Sequence, residues 1–181
     1  MNETILWIIA IVVGLFLLFA LFVLVAGLRS PVEHTVARRI QLKQSAEELW
    51  NTINDHEKET EWQPHLEYCT RLPDIDGNPA WQLKHKGSGN PPMTLITTVS
   101  EPPYKLVGTI SDQKKVFDGR WIFELKPVHG ATELTLTETA KINNPVFRGL
   151  YHLFGDPAMY LDQYLKALAA KYNETVTISG L

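Results

Sequence analysis

The run from Ile5 to Leu28 contains no charged side chain and is almost wholly Ile, Leu, Val, Phe and Ala. This feature constrains the chain more than any other. A core helix of a water-soluble domain is rarely apolar on every face over such a length. At 1.5 Å per residue the run is about 36 Å long, and roughly 20 apolar residues suffice to cross a hydrocarbon core about 30 Å thick. A secretory leader would carry a basic leading segment and an apolar core of about 7–15 residues. Met1-Asn2-Glu3-Thr4 before this run holds no Lys or Arg, and the run is longer. The expectation is one transmembrane helix, residues 1–29, acting as an anchor.

Lys and Arg near the ends of a span bias its orientation. None precedes this one, whereas Arg29, Arg38, Arg39 and Lys43 follow it. The bias predicts a single-pass protein of the cell membrane with its domain on the cytoplasmic side. A linker over 30–33, containing Pro31, can reach about 20 Å at most, so the domain following it is expected close to the membrane surface.

All 17 Lys and Arg follow residue 28, as do all Asp and Glu except Glu3, leaving that part of the chain near −2. Such a balance argues against nucleic acid as a partner. The lone Cys69 has no second cysteine to pair with.

Hydropathy alternation and turn residues divide the remainder into elements. A strand is expected over about 32–42. Ser45-Ala46-Glu47-Glu48 reads as a capping box opening a helix that buries Leu49, Trp50 and Ile53. A short second helix covers about 58–63, and the acidic run 55–61 reads as its solvated face. Strands follow over 67–72, 80–86, 93–100, 105–111, 117–126 and 132–141. Their breaks are Asp76-Gly77-Asn78-Pro79, 87–92, Pro102-Pro103, 112–115 and His129-Gly130. Connections this short imply an antiparallel meander. Asn144-Pro145 caps a long amphipathic helix carrying Phe147, Leu150, Tyr151 and Phe154, then Leu161, Tyr164, Leu165 and Leu168. Gly155-Asp156-Pro157 should break or kink it, with a restart at Asp156. The tail, 173–181, is expected to be loose.

This order of elements resembles the START/SRPBCC superfamily, specifically its polyketide cyclase/dehydrase-like branch. The resemblance rests on Arg38-Arg39-Ile40 leading into Ser45-Ala46-Glu47-Glu48-Leu49-Trp50, and on Trp62-x-Pro64. It continues in Gly119-Arg120-Trp121-Ile122-Phe123-Glu124-Leu125, Thr135-Leu136-Thr137-Glu138 and Asn144-Pro145-x-x-Arg148. It implies an α+β helix-grip fold over 34–172, a curved antiparallel sheet wrapped around a long C-terminal helix with an apolar cavity between them. One transmembrane helix would precede it. It implies no single activity, because fold does not dictate function.

Side chains placed to line such a cavity are Trp81, Leu83, His85, Trp121, Phe123, Leu136 and Glu138 from strands, with Tyr151, Phe154, Tyr164 and Leu168 from the helix. Glu138 alternates with Leu134, Leu136 and Ala140, which puts a carboxylate on the inner face. It is the candidate acid or base, with His85 as a second candidate; the competing reading has Glu138 reaching water or pairing with Arg148. Ligand sites are mostly apolar with a few placed polar groups. The expected function is therefore binding or carriage of a lipid-like or polyketide-like molecule by a membrane-tethered domain. The alternatives are a cyclase or dehydratase using Glu138, and an interaction module for another membrane protein. His56-Glu57-Lys58-Glu59 lacks the second His of a zincin, Gly87-Ser88-Gly89 lacks a third glycine, and no Gly-x-Ser-x-Gly elbow occurs. Neither a metal nor a cofactor is expected.

Overall fold

The computed structural model describes residues 2–87, 91–113 and 116–181. Parts of the breaks at 87–92 and 112–115, including Ser88 and Gly89 of the Gly87-Ser88-Gly89 motif, lie outside the described residues. The chain forms two compact units. One joins the segment up to Val32 with Ile142–Asp156; the other comprises Glu33–Lys141 and Pro157–Leu181.

The larger unit is built on a curved antiparallel sheet in the spatial order β2-β3-β4-β5-β6-β7-β1-β8. Its strands are β1 (Glu33–Leu42), β2 (Leu66–Ile75), β3 (Asn78–His85), β4 (Met93–Glu101), β5 (Lys105–Asp112), β6 (Phe117–Val128), β7 (Ala131–Ile142) and β8 (Ser179–Gly180). Strands β2 to β7 follow one another as neighbours, as short connections require. β1 closes onto β7 in a ten-residue register running from Glu33 opposite Lys141 to Leu42 opposite Thr132. Along β7, Thr132, Leu134, Leu136, Glu138 and Ala140 are buried while the residues between them are only partly covered, the period-two pattern of a sheet with one covered face.

Between β1 and β2 lie α2 (Ala46–Asn54), a 3-10 turn (His56–Lys58) and α3 (Glu59–Trp62). Ser45 caps α2, its hydroxyl oxygen accepting the Glu48 N–H at 3.2 Å. Leu49, Trp50 and Ile53 turn inward and join Ile40, Leu134 and Leu136 in the main core.

The expected long C-terminal helix is two helices. α4 (Pro145–Phe154) is capped by Asn144, whose Oδ1 accepts the amides of Val146 and Phe147. Gly155 ends it in an extended conformation, and α5 (Met159–Lys171) begins three residues beyond the anticipated cap at Asp156. Proline 157 has no N–H to continue α4 and restricts the conformation of Asp156, which favours a full interruption over a kink. Only α5 belongs to the larger unit, where Leu161, Tyr164, Leu165 and Leu168 fill the core. A loose tail is also corrected. Val176 and Ile178 pack on the core, and β8 pairs with Arg38 and Arg39 of β1.

The smaller unit pairs α1 (Glu3–Arg29) with α4. α1 is long and apolar enough to cross a membrane. Its buried residues are Val23 and Gly27, and both meet α4. There the two backbones touch. A Cβ added to Gly27 would collide with the Pro145 carbonyl oxygen, and one added to Gly149 with that of Val23. Small residues at a helix crossing allow this approach.

Candidate functional site

A small cavity lies inside the larger unit, between the sheet and helices α3 and α5. Its apolar walls include Leu83 of β3, Leu95 of β4, Leu106 and Ile110 of β5, Trp121 and Phe123 of β6, and Tyr164 of α5. Gly108 of β5 completes one wall, where a side chain would press on Leu95. Three rings gather around Tyr164: Trp121 edge-on at 5.6 Å between centroids, Phe123 at 5.4 Å, and Trp62, behind the wall, edge-on at 5.3 Å. Offset and edge-on ring pairs of this kind hold their members in place beyond simple burial.

The polar end of the cavity comes from the segment read from sequence as a solvated acidic face. That expectation is corrected: His56, Glu59 and Gln63 are all buried. They are spaced i, i+3, i+7, one face of a helical path, and that period is the signal which the charge of the segment obscured. The Glu59 carboxylate accepts a hydrogen bond from Gln63 Nε2 at 2.7 Å, and one of its oxygens lies 3.1 Å from His56 Nδ1. With Nδ1 engaged by the carboxylate, the other ring nitrogen is turned away from Glu59, and His56 Nε2 is buried without a partner among the described residues. The His56 ring sits edge-on to Trp81 at 4.5 Å, and the Arg71 guanidinium lies over Trp81 at 4.9 Å. Thr97 and the half-buried His85 are further polar members of the lining. Burial pushes the His85 imidazole below its usual range, partly offset by the Glu59 charge.

The sequence-selected residues separate into three groups. Leu83, His85, Trp121, Phe123 and Tyr164 line the cavity together. Trp81, Leu136, Leu168 and Glu138 are buried but stand outside its walls. Tyr151 and Phe154 belong to α4 in the smaller unit and form no part of the lining; Phe154 is 71% exposed. Helical periodicity had joined them to Tyr164, but the interruption at Gly155 to Ala158 separates the two segments.

Glu138 is 6% exposed, and burial raises its carboxyl above the ordinary range. The nearby Trp121 indole N–H partly counters that shift, yet among the described residues it meets no acceptor in full hydrogen-bonding geometry. Arg148 is not its partner; it is engaged with main-chain carbonyls of its own unit.

The cavity volume is about 40 Å³. A water needs on the order of 10–15 Å³ measured in this way, so the space holds roughly three. Drug-sized ligands occupy pockets of about 300–1,000 Å³. The expected roomy hollow is thus mostly filled by the aromatic side chains that were to line it. A wider groove of about 650 Å³ opens to solvent beside α2, lined by Glu48, Trp62 and by Thr52 and Tyr172, whose hydroxyls lie 2.6 Å apart. Among the described residues no group of three or more His, Cys, Asp or Glu is arranged to hold a metal.

The sequence matches the family described as polyketide cyclase/dehydrase and lipid transport over residues 33–172. Solved structures share the fold at low identity. A conserved protein from Geobacillus kaustophilus aligns at TM-score 0.62 and 19% identity, covering 80% of this chain and 99% of its own. A START superfamily protein from Mycobacterium smegmatis aligns at 0.58 and 21%, covering 77% and 97%. The di-domain ARO/CYC StfQ from the steffimycin biosynthetic pathway aligns at 0.63 and 12%, covering 77% of this chain and 50% of its own. No curated protein matches the sequence.

Proposed function

We infer that this chain, which belongs to the polyketide cyclase/dehydrase and lipid transport family, uses its ligand-binding or cyclase-type domain to hold a compact amphipathic molecule beside a membrane. The observation that carries this reading is His56 Nε2, without a partner among the described residues, at the polar end of a cavity whose other walls are mainly Leu, Ile, Phe, Trp and Tyr. A buried polar atom without a partner carries a desolvation cost of about 1–3 kcal/mol, which a ligand group placed against it removes. The apolar walls would take the body of the guest and the His56–Glu59–Gln63 end its polar group.

The free volume limits the guest. An acyl chain or a polyketide enters only if Trp121, Phe123 or Tyr164 moves aside, and Trp121 and the flanking Trp62 are only half-buried. The apolar α1 supports tethering, since only Ser30, Pro31 and Val32 separate it from β1. A guest that partitions into the bilayer would then be concentrated where the domain is held.

The test uses the full chain in phosphatidylcholine nanodiscs, titrated with short-chain phenols and medium-chain fatty acids while Trp fluorescence is followed. Saturable binding is expected, weakened at least tenfold by His56→Phe and abolished by Thr97→Leu, which fills the cavity. Binding unaffected by both substitutions, or no saturable binding at all, overturns the reading.

A second reading is favoured by the same dyad. A carboxylate at one imidazole nitrogen orients the other for proton transfer, so the domain would act on its guest as a cyclase or dehydratase. Here His56 is the better placed base, because Glu138 lies outside the cavity walls. Turnover lost in Glu59→Gln with ligand affinity retained would distinguish catalysis from carriage.

A further inference from the structure

The amphipathic helix α4 leaves four large apolar side chains uncovered: Val146 is 45% exposed, Phe147 56%, Leu150 38% and Phe154 71%. At 100° per residue they fall within an arc of about 100°, a continuous stripe along the helix. Exposed apolar surface of this kind marks a binding face. The opposite side of the helix carries Arg148 and Gly149, which are buried against α1.

What covers the stripe follows from where α4 is fixed. Its contact with α1 runs through Val23 and Gly27. Those residues lie six and two positions before the end of α1 at Arg29, which is about 3–9 Å along the helix axis. They are inside the uncharged run. Backbone-to-backbone contact between the glycine positions leaves α4 little freedom to lift away. An interfacial amphipathic helix buries its apolar face about 5–10 Å into the boundary between headgroups and acyl chains, and the contact with α4 lies a similar distance from the end of α1.

We propose that α4 is a membrane-surface helix, docked on the end of the spanning helix with Val146, Phe147, Leu150 and Phe154 in contact with lipid acyl chains. This rests on the reading of α1 as a bilayer span. The chain thus meets the membrane through two elements, one crossing it and one lying at its boundary. Attachment by α4 works through apolar burial: its basic residues are Arg148, spent on main-chain carbonyls, and His152.

The test reconstitutes the full chain, with its single cysteine replaced (Cys69→Ala), in phosphatidylcholine vesicles. One new cysteine at a time is labelled with bimane: Leu150→Cys or Phe154→Cys on the stripe, Leu15→Cys in the middle of α1, Glu47→Cys on the domain. Quenching by lipids carrying a nitroxide near the headgroup is compared with quenching by lipids carrying it deep in the chain. The labels at 150 and 154 should be quenched several-fold more than the label at 47, and more by the shallow than by the deep nitroxide. The label at 15 should show the reverse depth order. Quenching at 15 with none above the Glu47 level at 150 and 154 overturns the proposal while leaving the span intact. Absence of deep quenching at 15 overturns the span, and the proposal with it. Labels at 150 and 154 shielded from both lipid nitroxide and aqueous iodide would mean that a protein covers the stripe, which also overturns it.

Discussion

Arg148 donates its Nε to the carbonyl oxygen of Gly27 at 2.7 Å, across 121 residues of sequence. The carbonyl is among the last four of α1, which have no partner inside the helix, and the residue four positions on is Pro31, which has no N–H to give. The same guanidinium donates through Nη1 to Ile142 at 2.8 Å. A cation at a helix C-terminus also complements the helix dipole. One buried side chain thus completes the end of α1, ties down the chain entering α4 and fixes the two helices to each other.

Arg148→Met keeps much of the volume but removes the guanidinium donor from the carbonyls of Gly27, Ile142 and, at 3.4 Å, Asn143. The expected loss is about 2–3 kcal/mol, in the range for a buried charged hydrogen bond. Thermal unfolding in detergent micelles, followed through the α1–α4 unit by a disulfide cross-link between the helices, would reveal it. An unchanged melting midpoint with unchanged cross-linking would refute the assignment.

Gly149→Ala places a methyl group against the Val23 carbonyl oxygen, a backbone atom that cannot rotate away. Overpacking of this sort costs about 1–3 kcal/mol. The substitution should separate α4 from α1 without altering the far-ultraviolet circular dichroism of the larger unit. Gly14→Ala is the control, because no atom of the described residues lies within 4 Å of the added methyl and no effect is expected.

Glu138 makes stability depend on pH with a definite sign. Its carboxyl is raised by burial above the 4.5 it would have unfolded, so the native state binds the proton more readily. Stability then falls as pH rises through the window that opens near 4.5 and closes at the elevated native value. Glu138→Gln removes the penalty. In urea titrations the variant should match the parent below pH 4.5 and exceed it at pH 8; a constant difference across that range would contradict the burial argument.

Cys69 is pushed from 9.0 up to about 12, chiefly by burial. Only the thiolate is nucleophilic, so a shift of this size lowers the reactive fraction about a thousandfold. Alkylation by iodoacetamide at pH 8 should be at least a hundredfold slower in the native chain than in urea. Rapid modification of native protein would show the site to be open.

The strand pattern was legible in residues such as Leu134, Leu136 and Glu138, because a sheet with one covered face imposes a period of two that side-chain chemistry displays directly. The cap at Ser45 was equally legible, since it depends on neighbours three residues away. His56 and Glu59 were misjudged because charge alone does not reveal whether a carboxylate finds a histidine and an amide to satisfy it. The third member, Gln63, comes from beyond the acidic run.

Local order, then, was determined by the sequence itself: an uncharged run of bilayer length, alternating strands, a capped helix, a helix disturbed at Gly155-Asp156-Pro157. Those features depend on interactions within a few residues. The tertiary structure alone decided that α4 docks on α1, that the tail adds a strand, and that the cavity is about 40 Å³. Amphipathicity states that a face must be covered without naming the cover, and a cavity is the small remainder left after many side chains have packed.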